Sequence, residues 1–320
     1  MPSSQIALLK KYGLEIRGFR GQHVLIDPNV QKKIVALAAP RPGEWILEIG
    51  PGLGALTGEL LASGASVLAV ENDRRFCKIL EGELGGDDSR QLGQAATGRL
   101  NRQARAARSG RLYIENTDVL KTTLDQLLKR VRRFTRRRDN SKLLPKLKVV
   151  SNLPYYITSP VLFWLIGNRA HVERAILMMQ KEVSDRLLAQ PGERDYGRLT
   201  LALRYYAETR LAFGVSRNCF TPKPEVDSSV VAIDFHPASK FPKGLDENFL
   251  FHLIQTAFAS RRKTLLNQLS RDSRIGKSKE DLSAVLQKLG LAEKVRGEEL
   301  LLKDFIALAL FLQVPAEGVR

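Results

Sequence analysis

Cysteine is scarce in this chain: only Cys77 and Cys219 occur, far apart and outside any CxxC pair. That scarcity excludes a disulfide framework and a structural thiolate–zinc site, and it fits a reduced, cytoplasmic compartment. Long apolar runs are also missing. The most apolar stretch, "FIALALFLQV" (Phe305–Val314), is about half the length of a membrane span. The opening "MPSSQIALLKKYGLEIRGFRG" lacks the uninterrupted apolar core of a signal peptide. A soluble, cytoplasmic protein with no membrane partner is therefore expected. Acidic residues are under-represented too: 34 Asp and Glu against 51 Lys and Arg leave a net charge of +17. Such an excess points away from an enzyme of small metabolites and toward a polyanionic partner.

A hydrophobic content of 43% over 320 residues suffices for a full core, and the length suits a large domain with a smaller companion. Short apolar runs, "EWILEIG", "SVLAVE", "RLYIENTD", "LKVVSN" and "RAILMMQ", read as buried strands. Helical patterns such as Leu53–Ser63 and Thr123–Arg133 lie between them. This alternation predicts a mostly parallel sheet covered on both faces. "LAFGVS" and "SSVVAIDFH", separated by a proline-rich turn, fit an antiparallel addition at one edge. From about Asp246 strand signals cease, and "ENFLFHLIQTAFASRRKTLLNQL" and "KEDLSAVLQKLG" carry apolar residues at helical spacing. The division expected is an α/β domain over 1–243 and a small all-α domain over 244–320. Two stretches interrupt the first domain. Gly85–Gly110 has too few large apolar residues to bury much surface, and 129–146 opens with the basic run "KRVRRFTRRRDNSK". Such a run is a solvated face as readily as a binding surface.

Candidate chemistry collects where strands end. In "ILEIGPGLGALT" a strand finishes at Glu48, a turn follows with Gly50, Gly52 and Gly54, and a helix begins near Ala55. Glycines let a backbone approach a ligand closely, and a helix N-terminus favours negative charge. The spacing differs from the dinucleotide fingerprint. Glu71 closes the next strand in "AVEND", about twenty residues beyond the glycines, where an acid can accept from both hydroxyls of a ribose. Asp118 and Val119 in "ENTDVL" end a third strand and suit the amine and the face of an adenine. A fourth strand runs into "VVSNLPYYITSP", where Pro154 must stop it because proline has no N–H for a sheet. The Asn152 side-chain oxygen and a backbone carbonyl at Leu153 or Pro154 can hold the N–H groups of an exocyclic amine, favouring a more nucleophilic nitrogen. Tyr155 offers a face for an extruded base.

These motifs, with "GQHVLID" (Gly21–Asp27), "MMQKEVSDRL", "FTPKPEVDSSV" and "FASRRKTLLNQL", occur in an order that resembles the KsgA-type ribosomal RNA small-subunit adenine N6,N6-dimethyltransferase family. The resemblance covers the chain apart from the two insertions. It implies a class I methyltransferase fold, Rossmann-like, that uses S-adenosyl-L-methionine and no metal, plus a helical C-terminal RNA-binding domain. The activity implied is dimethylation of N6 of adenosines, two adjacent ones in a 3'-terminal hairpin of small-subunit ribosomal RNA, by a monomer acting on the ribosomal particle during assembly. By position in the motifs, Gln22, His23, Leu25, Gly50, Gly52, Glu71, Asp118, Val119 and Asn152 are expected at the cofactor. Asn152, Leu153, Pro154, Tyr155 and Phe220 are expected at the reacting base, with Tyr155 and Phe220 sandwiching it. Arg261, Arg262 and Lys263, with Arg132 and Arg133 of the basic run, are the expected phosphate contacts.

Some positions depart from the family's pattern. "GQNFL" reads "GQHVL", so His23 replaces an amide and Val24 a phenylalanine, and "NLPYN" reads "NLPYY", which introduces Tyr156. Altered cofactor contacts rather than lost binding are expected from His23. Macrolide-resistance methyltransferases of large-subunit RNA are the nearest alternative, but they carry "NIPY" or "NIPF" and lack "RRKT", whereas Leu153 and Arg261–Thr264 are present here. A non-catalytic nucleic-acid-binding relative is a further alternative, opposed by the intact Asn-Leu-Pro-Tyr and glycine turn. A dehydrogenase is opposed by the glycine spacing.

Overall fold

The computed structural model describes residues 5–14, 23–85, 90–91, 110–135, 146–237 and 240–313. The first part of the chain runs through α1 (Gln5–Lys11), β1 (Val24–Leu25), α2 (Pro28–Ala38), β2 (Trp45–Ile49), α3 (Ala55–Ala62), β3 (Ser66–Glu71) and α4 (Arg74–Leu84). It continues through β4 (Arg90–Gln91), β5 (Leu112–Asn116), α5 (Leu124–Thr135), β6 (Leu147–Asn152), α6 (Thr158–Gly167) and β7 (Val172–Gln180). Then α7 (Lys181–Leu188) and α8 (Arg198–Tyr206) precede β8 (Ala207–Val215), β9 (Phe220–Thr221) and β10 (Ser228–Phe235).

Eight strands form one sheet in the order β4-β5-β3-β2-β6-β7-β10-β8. The pairs from β4 to β7 are parallel, β10 joins β7 antiparallel, and β8 follows β10 as the last strand on that side. All six residues of β3 and four of the five in β2 are buried, as a sheet covered on both faces requires. Ile34, Val35 and Ala38 of α2 and Leu56, Leu60 and Leu61 of α3 share one apolar cluster with Ile46, Val67, Val150 and Ile176 of the strands. Each such valine, leucine or isoleucine side chain contributes roughly 1.5–3 kcal/mol by leaving water. From β2 the strand order runs to β3 and β5 on one side and to β6 and β7 on the other. A crevice therefore opens at the carboxyl ends of β2 and β6, the usual ligand position in such sheets.

Caps set where the helices start. Asp27, the last residue of the "GQHVLID" motif, accepts from the Asn29 and Val30 amides, and Pro28 occupies the first helical position of α2. Asp73 caps α4 through the Arg75 amide. A cap of this kind contributes about 1 kcal/mol.

Contacts divide the chain into two compact units, Met1–Ser184 with Arg210–Phe235, and Asp185–Thr209 with His236–Arg320. The helical unit thus takes in 185–209, which lies well before the change of composition near residue 244. The reason is visible in α8: Tyr205 and Tyr206 ring-pack with Phe241 and Phe251, and the Tyr206 hydroxyl donates to Glu247 at 2.8 Å. The unit continues with α9 (Glu247–Ala257), α10 (Leu265–Leu269), α11 (Lys279–Lys288) and α12 (Leu302–Leu312). Leu250, Leu253, Ile254 and Ala257 of α9 and Phe305, Leu308, Ala309 and Leu312 of α12 are buried. The most apolar stretch of the sequence is therefore a core helix, and no helix among the described residues is long and apolar enough to cross a membrane.

Candidate active site

The carboxyl ends of β2, β3, β5 and β6 surround a cavity of about 530 Å³ in the first unit. Its floor is the glycine turn after β2. Gly50, Gly52 and Gly54 all have positive φ (65°, 55° and 81°), which only glycine adopts without strain. A Cβ on Gly54 would also lie 2.6 Å from a Leu84 methyl and 2.8 Å from a Leu80 methyl of α4, so those side chains would have to shift to admit one. A Cβ on Gly52 would meet nothing within 4 Å, so this glycine keeps open the space in front of the turn.

Glu71, at the end of β3, is nearly buried and borders the cavity. Its Oε1 accepts from the Asp73 amide at 2.8 Å and its Oε2 from the Gly52 amide at 3.2 Å. Burial raises its pKa, and the two amides offset part of that. Each oxygen keeps a lone pair, which suits a pair of vicinal hydroxyls. Glu48 is more deeply buried, 1% exposed, and also borders the cavity. The Thr57 hydroxyl donates to it at 2.6 Å, yet burial pushes its pKa up to about 8, so the carboxyl stays protonated at neutral pH. Asp118 caps the turn Val119–Lys121 through the Leu120 amide at 3.0 Å, an interaction that occupies one oxygen. Val119 beside it is buried, and both line the cavity.

The fourth wall is Asn152–Ile157. The Asn152 amide nitrogen donates to the His23 carbonyl at 3.3 Å, which orients the side chain and leaves Oδ1 as its acceptor. The Pro154 carbonyl already accepts from the Ile157 amide at 3.1 Å, so the Leu153 carbonyl is the freer of the two backbone acceptors. The Tyr155 ring lies 5.3 Å from the His23 ring, tilted by 35°, and its hydroxyl is 3.1 Å from Ser228 Oγ. Burial raises the pKa of that phenol. The His23 imidazole is itself committed: Nδ1 is 2.7 Å from the Pro222 carbonyl, so this nitrogen carries the proton. His23 thereby ties the first motif to the "FTPKP" loop, alongside the β1–β9 pairing of Val24 with Thr221 and Leu25 with Phe220.

Eleven of the expected residues meet at the cavity: His23, Leu25, Gly50, Gly52, Glu71, Asp118, Val119, Asn152, Leu153, Pro154 and Tyr155. Gln22 lies outside the described residues. Phe220 does not border the cavity; it is 4% exposed and sits in the apolar cluster of α2, α3 and the strands, because the β1–β9 pairing turns it inward beside Leu25. The rings that do border it are His23, Phe76, Tyr155 and Tyr156. Sequence reasoning missed Gln5, Phe76 and Tyr156 as lining residues. Gln5 and Phe76 carry no local signal, whereas Tyr156, 60% exposed, stood in a recognised motif.

The expected RNA contacts fall into different groups. Arg261 reaches two backbone carbonyls, those of Arg194 and Tyr196, so its guanidinium braces the helical unit. Gln268 braces the same turn through the Ser260 amide, at 2.9 Å, and the Ala257 and Ser260 carbonyls. The turn so held leaves Arg262 and Lys263 exposed. Arg132 is half-buried on α5 and makes interactions of its own, while its neighbour Arg130 pairs with the buried Glu115. The Arg133 side chain, residues 136–145 and most of the 85–110 insertion lie outside the described residues.

S-adenosylmethionine needs acceptors for a ribose diol and an adenine amine, and close backbone approach beside them. Glu71, Asp118 and Gly52 meet these needs. A further observation agrees: Gln5 Oε1, at the cavity, is buried with no hydrogen-bond partner among the described residues, as a ligand-contacting acceptor would be.

A sequence profile described as Ribosomal RNA adenine dimethylase matches residues 13–94 and 97–311. The chain is 37% identical over 309 residues to "Ribosomal RNA small subunit methyltransferase A" of Bacillus cytotoxicus, across 96% of this chain and 95% of that protein. It is 36% identical to the protein of the same description from Moorella thermoacetica, across 98% of each. Among solved structures it is similar to a dimethyladenosine transferase from Plasmodium falciparum, with TM-score 0.68 and 25% identity over 90% of this chain and 97% of that one. The 23S rRNA methyltransferase ErmE, at TM-score 0.60 and 21% identity, shares the fold. With its sheet order, glycine turn and strand-end acids, the chain has the class I S-adenosylmethionine-dependent methyltransferase fold and belongs to the ribosomal RNA adenine dimethylase family.

Proposed function

We propose that this protein dimethylates N6 of adenosines in small-subunit ribosomal RNA during ribosome assembly. In this reading it acts on two adjacent adenosines of a 3'-terminal hairpin, as a cytoplasmic monomer without a metal. The observation that carries the reading is the arrangement at Asn152: its amide nitrogen is spent on the His23 carbonyl, so Oδ1 is the atom left to accept. Oδ1 and the Leu153 carbonyl would hold the two N–H groups of the target amine. An aromatic amine is a poor nucleophile because its lone pair is delocalised into the ring. Two acceptors favour the pyramidal geometry in which the pair is available, and they act most strongly as charge develops on nitrogen.

The cofactor supplies an activated methyl group, held with its ribose at Glu71 and its adenine at Asp118 and Val119. Tyr155 gives the target base a stacking face, a contact of about 1–3 kcal/mol that offsets much of the cost of extruding a nucleotide. Phe220 acts from behind, as the anchor that fixes β9 and the Pro222 carbonyl against His23. Preference for the small subunit is supported by the description of the 36–37% identical relatives and by Leu153 with the "RRKT" turn.

Labelled methyl transfer onto purified unmethylated small and large ribosomal subunits tests the proposal. Label should enter the small subunit and be recovered as N6,N6-dimethyladenosine, and Asn152→Ala should lose most of this activity. Labelling of the large subunit alone, or near-normal turnover by the Asn152 variant, would overturn it.

A further inference from the structure

Gln5 is an anomaly outside every motif. It opens α1, is 8% exposed, borders the cavity, and its amide oxygen finds no hydrogen-bond donor among the described residues. A buried acceptor without a partner is costly, and such atoms in native structures are usually completed by something bound. The surroundings indicate which part of a ligand completes this one. Gln5 and Leu8 stand three residues apart and so share one helix face. Leu8 packs with Leu53 of the glycine turn and with Phe76 and Ile79 of α4. Gly52, next to Leu53, and Asp73, three residues before Phe76, supply the amides that hold the Glu71 carboxylate. Lys11 and Tyr12 at the other end of α1 both reach Glu83 of α4, which fastens the helix over this side of the cavity.

We infer that the Gln5 amide oxygen is a second acceptor for the cofactor's ribose, facing one of the two hydroxyls that Glu71 binds, with α1 as the cover of that subsite. The inference rests on the reading of the cavity as the S-adenosylmethionine site. It assigns to α1 a ligand-binding role in addition to packing on the glycine turn.

Calorimetric titration of the full-length protein with S-adenosylhomocysteine and its 2'-deoxy and 3'-deoxy analogues tests this, using wild type and Gln5→Met. Methionine keeps the length and helix preference of glutamine without an acceptor. The variant should bind S-adenosylhomocysteine about three- to tenfold more weakly, the equivalent of one net hydrogen bond. For the analogue lacking the hydroxyl in question, wild type and variant should bind equally. Thermal unfolding without ligand supplies the second readout. Gln5→Met should melt at or above the wild-type temperature, because the atom removed had no partner. A lower melting temperature with unchanged affinities would make Gln5 purely structural and overturn the inference. Equal weakening toward all three ligands would overturn the ribose assignment. Failure of the wild type to bind S-adenosylhomocysteine would remove the cofactor reading, and this inference with it.

Discussion

Glu48→Gln is the sharpest test of the electrostatics inside the sheet. Glu48 is 1% exposed at the end of β2, and its burial, with the Glu71 carboxyl nearby, outweighs the hydrogen bonds from the Thr57 hydroxyl and backbone amide, so its pKa rises from 4.5 to about 8. In the unfolded chain the same carboxyl ionises near 4.5. Between these values the unfolded state has lost the proton and the folded state keeps it. The folded state therefore binds more protons, and stability falls as pH rises through the window. The slope is at most about 1.4 kcal/mol per pH unit. Over the whole window the loss is at most roughly 5 kcal/mol, an upper bound because water entering the site would lessen it. Glutamine is neutral at every pH and can still accept from Thr57. Glu48→Gln should therefore differ least from the wild type at pH 5 and grow progressively more stable than it up to about pH 8. Beyond that both carboxyl states ionise and the gap becomes constant. Denaturant unfolding of the ligand-free proteins at intervals from pH 5 to 8.5 measures the gap directly. Parallel stability profiles would refute the reasoning, since they would mean that Glu48 is ionised in the folded protein.

Two further outcomes follow from the site and the helical unit. Glu71→Ala removes the acceptor proposed for the ribose and also frees the Gly52 and Asp73 amides, so S-adenosylmethionine affinity should drop about tenfold or more, with secondary structure by circular dichroism retained; an unchanged dissociation constant would dismiss Glu71 as the ribose acceptor. Arg262→Ala with Lys263→Ala should lower the dependence of log K on log salt for RNA binding by about two units, one for each lost phosphate contact. Arg261→Ala should instead cost about 1 kcal/mol or more of stability, through its two backbone carbonyls, while the salt dependence is preserved. A salt slope that responds to Arg261 and not to its neighbours would reverse these roles.

Local pattern determined a great deal about this protein. The strands of the parallel sheet are apolar runs that must be covered on both faces, and they can be read one at a time. Asp27 and Asp73 cap helices through amides two or three residues away, and Gly50, Gly52 and Gly54 adopt backbone angles that other residues avoid. Glu71, Asp118 and Asn152 were legible as a set, because strand ends of a parallel sheet all open on one edge. The tertiary structure decided what depends on neighbours remote in the chain. It buried Phe220 against Leu25, some 195 positions away by numbering, and spent Arg261 on the carbonyls of Arg194 and Tyr196. It drew 185–209 into the helical unit through the rings of Tyr205 and Tyr206, and it set Gln5 at the cavity with an unanswered acceptor. Burial and partnership are properties of the packed chain: the same glutamate is an ordinary acid at an exposed strand end and a neutral one where Glu48 lies. No spacing rule reports that difference, because the desolvation that causes it comes from α3 and the neighbouring strands rather than from adjacent residues.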